Sequence, residues 1–216
     1  MNILCYGDSN TWGTPPRQDF GDVPRYGEDV RWGSVLRTAL GAGHSVVEEG
    51  LGGRTTVWDD PVEGEHRNGR RYLLPCLLSH RPLDLVILLL GTNDLKHRFG
   101  LSAADIAAGA GALVDLVRTS GAGRAAGAPA VLLVCPPPLG RLDLFAAMFE
   151  GAPAKSLRLA HEYEAIARER RCAFLDAGQL ISSSDVDGIH FDVAAQQALG
   201  GAIACRVREI AATPPG

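Results

Sequence analysis

Two stretches of this chain leave it little choice of fold. "LDLVILLL" at 83–90 and "AVLLVC" at 130–135 are almost continuously apolar. Both are far shorter than the ~18 residues that would span a membrane. Runs of this length and composition read as strands covered on both faces, the situation of interior strands in a parallel sheet. Three further strand candidates are "NILCY" at 2–6, "SVVEE" at 45–49 and "CAFLD" at 172–176.

Helical patterns fill the intervals. "RWGSVLRTAL" places apolar residues near i, i+3 and i+4. "NGRRYLLPCLLSH" follows, with Pro75 expected to kink or punctuate it. "SAADIAAGAGALVDLVRTS" opens on Ser102 as N-cap with Asp105 three residues on. "KSLRLAHEYEAIARERR" and "DVAAQQALGGAIACRVREIA" complete the set, the last capped by Asp192. Strands alternating with helices predict an α/β sandwich with a mainly parallel sheet. With 216 residues, 46% of them hydrophobic, one core suffices, so residues 1–216 are read as a single domain. Two loops, 14–30 and 136–154, are longer than connections require and are expected to carry function or subunit contacts.

Several classes of function drop out. A net charge of −4, with arginines scattered among acids, gives no grip on nucleic acid or an anionic membrane. "MNILCY" has no basic n-region of a signal peptide. Five cysteines without a CxxC pair read as buried, reduced thiols, and the expected location is the cytoplasm. The acids and His66 of "WDDPVEGEHRNG" lack metal-ligand spacing, so no metal is expected and the segment reads as a solvated loop. "GAGRAAG" lies between a helix and a strand, the wrong context for a dinucleotide fingerprint, and no cofactor is expected.

In such a sheet ligands bind beyond the carboxyl ends of the strands. Successive strands here deliver "GDSN", "GLGGRTT", "GTND" and "PPPL" to that edge, and "DGIH" follows the fifth strand. Ser9 can project a hydroxyl there, but a serine needs a base to become a nucleophile. His190 is the candidate base and Asp187, three residues before it, the acid that would orient the ring. Asp185 is a less conveniently spaced rival. The Ser9 N–H, the Gly53 N–H and the Asn93 side-chain amide are candidate donors to a developing oxyanion. Asp8 and Asp94 are expected to brace turns, and Lys96 to be a rim charge. Trp12, Leu139, Phe149 and Ile189 are candidate pocket residues.

The four blocks carrying Ser9, Gly53, Asn93 and His190 resemble those of the SGNH (GDSL-type) hydrolases, over nearly the whole chain. Longer stretches, "GDSNTWG", "EEGLGGRTT", "LDLVILLLGTND" and "VDGIHF", are most similar to the aryl esterase and acyltransferase branch. The resemblance implies a flavodoxin-like three-layer α/β/α sandwich with strand order 2-1-3-4-5. It also implies a serine esterase of short acyl esters, working through an acyl-enzyme, with transfer to water, alcohols or peroxide, and a homo-oligomer. The first block departs from the usual "GDSL" at Asn10, a position expected at the rim of the site, and Gly52 is expected to loosen the loop before Gly53. Rival readings are a carbohydrate O-acetyl esterase, a lysophospholipase or thioesterase, and a non-catalytic nucleotide- or flavin-binding module.

Overall fold

The five apolar runs assemble into one sheet: β1 (Asn2–Gly7), β2 (Ser45–Gly50), β3 (Leu85–Leu89), β4 (Ala130–Cys135) and β5 (Ala173–Asp176). Their order is β2-β1-β3-β4-β5 and every neighbouring pair is parallel. The structure is a computed structural model that describes residues 1–22 and 24–212. Val23, inside the first long loop, and residues 213–216, the end of the expected domain, lie outside the described residues.

Between the strands run α1 (Ser9–Trp12), α2 (Trp32–Leu40), α3 (Gly69–Ser79), α4 (Ala103–Thr119), α5 (Ala152–Ser156), α6 (Leu159–Glu169) and α7 (Val193–Ala212). The two-residue period of the strands divides the core. Leu4, Tyr6, Val86, Leu88, Val131 and Leu133 pack with Leu73 and Leu77 of α3, Leu113 of α4 and Tyr163 of α6. Ile3, Cys5, Leu85, Ile87, Leu132 and Val134 pack with Trp32 and Leu36 of α2 and Leu199 and Ile203 of α7. Helices therefore cover both faces, which is why the central strands carry no polar alternation. Each such aliphatic side chain contributes about 1.5–3 kcal/mol by leaving water.

Local chemistry sets the helix ends. Ser102 Oγ accepts from Asp105 N at 3.1 Å while Asp105 accepts from Ser102 N at 2.9 Å, a reciprocal capping box. Asp192 Oδ1 accepts from Ala195 N at 2.8 Å at the start of α7. Pro75 does not interrupt α3, contrary to expectation. Leu73, Cys76 and Leu77 are buried around it, and that packing holds the helix despite one missing N–H. Of the five free cysteines, Cys5, Cys76 and Cys135 are buried, but Cys172 is only partly covered and Cys205 is exposed. Among the described residues, no helix is long and apolar enough to cross a membrane.

The register aligns Gly7 with Gly50 and with Leu89, so β1, β2 and β3 end level and release their loops at one edge. α1 turns back at once over the end of β1. A Cβ on Gly7 would lie 2.0 Å from Thr11 Oγ1 and 2.8 Å from Leu89 O, so only glycine permits that turn.

Candidate active site

The turn after β1 presents Ser9. Asp8 caps α1, its Oδ1 accepting from Asn10 N at 2.9 Å, and this fixes the backbone that carries the serine. The loop before α7 brings the second half. Asp187 is fully buried; its Oδ1 accepts from Ile189 N at 3.0 Å and His190 N at 2.9 Å, folding the tetrapeptide back on its own carboxylate. Oδ2 then lies 2.7 Å from His190 Nδ1, and His190 Nε2 lies 3.2 Å from Ser9 Oγ. Three side chains from the two ends of the chain thus form one continuous hydrogen-bonded line. Asp185 is exposed and takes no part in it.

Burial pushes the Asp187 carboxyl up, but the His190 hydrogen bond, the His190 charge and the two backbone N–H groups outweigh it. They hold the group below the usual carboxylate range. A fourth donor comes from elsewhere: Arg17 N, in the first long loop, donates to Oδ2 at 3.0 Å.

Asn10 is not at the rim. It is buried, and its side chain donates to Ile189 O at 3.2 Å and accepts from Phe191 N at 3.0 Å. One carboxamide therefore brackets His190 on both sides in sequence. A side chain with two donors and an acceptor oxygen could do this from position 10; an aliphatic one could not.

The three expected oxyanion donors face the same cavity. Among the described residues neither the Ser9 nor the Gly53 N–H has a protein acceptor. Gly53 adopts φ +76°, and a Cβ there would meet Glu63 Oε2 at 2.6 Å. Asn93 Nδ2 donates to Arg54 O at 3.2 Å and reaches Asp8 Oδ2 at a long 3.4 Å. The glycine pair does not leave the loop loose: Arg67 Nη1 donates to Gly52 O, and Arg54 Nη1 to Gly7 O at 2.8 Å. Asp94 accepts from Thr56 N at 3.0 Å and from Thr56 Oγ1, tying the Asn93 turn to the Gly53 loop. Burial raises both Asp8 and Asp94 to about 6, against the pull of these donors.

Ser9, Gly53, Asn93 and His190 open into a cavity of about 310 Å³. Phe149 and Ile189 line it. Trp12 and Leu139 do not, contrary to expectation. The Trp12 ring is turned to the Arg25 guanidinium, 5.2 Å away, and Leu139 packs into the core with its N–H on Ser156 Oγ. The wall includes residues that sequence reasoning missed: Arg17 and Phe20 from one long loop, Phe145 and Met148 from the other. Phe145 stands edge-on to His190 at 6.2 Å and to Phe149 at 6.4 Å, and Phe20 meets Phe145 at 5.6 Å. The available signal was Phe20 inside a polar loop and the apolar run of Leu144, Phe145, Met148 and Phe149 in a loop with no strand of its own.

The opposite wall is charged. Lys96 is only 2% exposed, so it is no rim charge; its Nζ lies 2.5 Å from Glu63 Oε1 and 3.7 Å from Asp60 Oδ2. Arg98 reaches Asp60 at 2.9 Å and Arg67 reaches Glu63 at 3.6 Å. Asp60, Glu63 and Arg67 of the 58–69 segment are accordingly a built part of the site, anchored by ion pairs, while Asp59, Glu65 and His66 stay exposed as a solvated loop would have them.

The sequence profile of the GDSL-like lipase/acylhydrolase family matches residues 5–198. The chain is similar to the solved aryl esterase of M. smegmatis, with 47% identity, coverage of 96% of this chain and 98% of that one, and a TM-score of 0.92. It is also similar to a carbohydrate acetylesterase from Sinorhizobium meliloti, at 41% identity, 97% and 99% coverage and a TM-score of 0.92. A lipolytic protein of the G-D-S-L family from Veillonella parvula, 18% identical over 96% of this chain and 97% of that one, shares the fold with a TM-score of 0.64. No curated protein matches the chain.

Proposed function

The chain belongs to the GDSL-like lipase/acylhydrolase family and is a carboxylic ester hydrolase; from that premise we propose the residues that carry the reaction. Ser9 is the nucleophile, His190 the general base and then acid, and Asp187 the group that orients and stabilises the imidazolium. One observation carries this assignment: Ser9 Oγ, His190 Nε2, His190 Nδ1 and Asp187 Oδ2 stand in line with contacts of 3.2 and 2.7 Å.

His190 takes the Ser9 proton as Oγ bonds to the ester carbonyl carbon. The carbonyl oxygen gains negative charge and is held by the Ser9 and Gly53 N–H groups and by the Asn93 amide, whose long Asp8 contact is the one it can exchange. Collapse expels the alcohol, which receives the proton from His190 and leaves an acyl-serine. Water repeats the steps in reverse and frees the acid.

The acyl group is short and the leaving alcohol aryl or alkyl. The aromatic wall of Phe20, Phe145 and Phe149 supports this, since it closes the cavity next to the imidazole. The same wall supports transfer to alcohols or peroxide, because an apolar surround disfavours water at the acyl-enzyme. A second reading, removal of O-acetyl groups from carbohydrate, is favoured by the opposite wall, where Glu63 and Arg67 offer polar groups to hydroxyls. We further read residues 1–216 as one domain, supported by the single sheet, and place it in the cytoplasm, supported by the free thiols. A homo-oligomer rests on the resemblance; a sedimentation profile of monomer alone would remove it.

The test compares wild type with Ser9→Ala on acetate, butyrate and octanoate aryl esters and on acetylated sugars, with and without added alcohol. All turnover disappears in the variant, acetate is preferred, and alcohol yields a new ester. Undiminished turnover by Ser9→Ala overturns the assignment.

A further inference from the structure

We propose that Glu49, Cys76 and His80 form a binding site for a zinc-class divalent cation, separate from the cavity of Ser9. Their donor atoms, one from each side chain, lie within 4.8 Å of one another. None of the three lines the cavity.

The fold brings them together for reasons visible in the register. Glu49 pairs with Tyr6, so both side chains stand on the α3 face of the sheet. Cys76 and His80 are four apart, one turn of α3, and so share a helix flank although His80 is the residue that ends it. β2 is an edge strand, so no further strand covers Glu49. Cys76 is buried, whereas the Glu49 and His80 side chains keep 22% and 31% exposure. The thiol forms the floor, and the carboxylate and imidazole the lip, of a site open to solvent on one side.

The donor atoms are close enough for side-chain movement of an ångström or so to close them on a small cation. Zinc bound to sulfur, nitrogen and oxygen at about 2.0–2.3 Å sets tetrahedral ligands roughly 3.3–3.8 Å apart. His80 Nε2 and Glu49 Oε1 are now 3.0 Å apart, so they need to open by only a few tenths of an ångström. Three protein donors leave a fourth position, on the solvent side, for water. Thiolate, imidazole and carboxylate together select zinc or cobalt over magnesium and calcium, which take oxygen donors.

Charge balances as well. Binding requires the thiol: the cation displaces the Cys76 proton to solvent and a metal–sulfur bond forms. Burial, with Glu49 beside it, pushes the Cys76 thiol up, and the Arg54 charge opposes this only in part, so the cation displaces a firmly held proton. Glu49 and the thiolate supply two negative charges against the cation's two positive ones.

The test uses the whole protein in a Cys205→Ser background, which removes the exposed thiol. Cobalt(II) is titrated as a spectroscopic probe and then displaced with zinc, and melting is followed with and without zinc. The expected result is one equivalent of cobalt with a thiolate-to-metal absorption band and a zinc-dependent rise in melting temperature. Cys76→Ser abolishes the band, and His80→Ala, at a partly exposed helix end, weakens binding by more than about tenfold. Ser9→Ala binds as wild type does. Absence of the band, binding without it, or binding unchanged in His80→Ala overturns the proposal; in each case Glu49 is only the hydrogen-bond partner of its neighbours.

Discussion

Replacing Asp187 by asparagine keeps the size of the side chain and removes one acceptor. Each carboxylate oxygen here serves two donors: Oδ1 accepts from Ile189 N and His190 N, Oδ2 from His190 Nδ1 and Arg17 N. An amide can satisfy one pair only. With its NH2 on the Oδ1 side, two buried backbone N–H groups lose their acceptor, at about 1–3 kcal/mol each. The fold then loses roughly 2–6 kcal/mol, and each kcal/mol lowers the melting temperature of a chain this size by about 2–4 °C. With NH2 on the Oδ2 side, the imidazole must accept at Nδ1 and carry its proton on Nε2. It then faces Ser9 as a donor, no base remains, and kcat falls about 10⁴-fold, as for an asparagine in the equivalent place of a serine-protease triad. The variant is therefore unstable or inactive. Stopped kinetics on an aryl acetate and a thermal melt of the same preparation check this. A variant within about tenfold of wild-type kcat that melts within about 4 °C of it refutes the reasoning.

Lys96→Met removes one cation from Asp60 and Glu63; breaking a buried pair costs about 3–5 kcal/mol, and because Arg98 and Arg67 still face these carboxylates the loss falls at or below the lower end. Because Glu63 lies under Gly53, kcat should fall more than KM changes, and equal loss in both would contradict this. Asn10→Leu, the residue the resembled first block most often carries, leaves Ile189 O and Phe191 N without partners. That costs about 1–3 kcal/mol each and lowers kcat through a less constrained His190, which urea titration and steady-state kinetics measure together. Asp94 titrates at about 6 in the fold against an ordinary 3.8, so the folded protein binds its proton more tightly. The stability this gives is full below about pH 4 and is lost as pH rises through 6. Asp94→Asn should therefore gain on wild type in melting temperature as pH rises from about 4 to 6 and hold that gain above; a constant difference across pH 4 to 6 would show that Asp94 does not titrate there.

Most of the architecture was legible. Central strands with both faces buried announce themselves as unbroken apolar runs, and each ended in a polar turn that the parallel register then placed at one edge. The pair Asp187 and His190 was readable from a three-residue spacing, which the Asx-type turn at Asp187 makes into contact. What escaped was side-chain direction in the long loops. Trp12 follows the nucleophile closely, yet α1 rotates it toward Arg25. Phe145 reaches the imidazole and Met148 the cavity from 136–154, and Phe145 there meets Phe20 of the other long loop. Lys96 looked like a surface lysine because its counter-ions, Asp60 and Glu63, lie more than thirty residues earlier. Local sequence reports period and spacing; it is silent about which loop lies on which.

The Arg17 N–H on Asp187 has a further implication. The strip of chain that frames the entrance is fastened to the very atom that steadies the imidazole. A bulky guest that pries the doorway apart also slackens the proton relay behind it. Widening the portal for larger esters and keeping the turnover rate are thus opposed demands, and any redesign of residues 14–22 has to replace that lost fastening first.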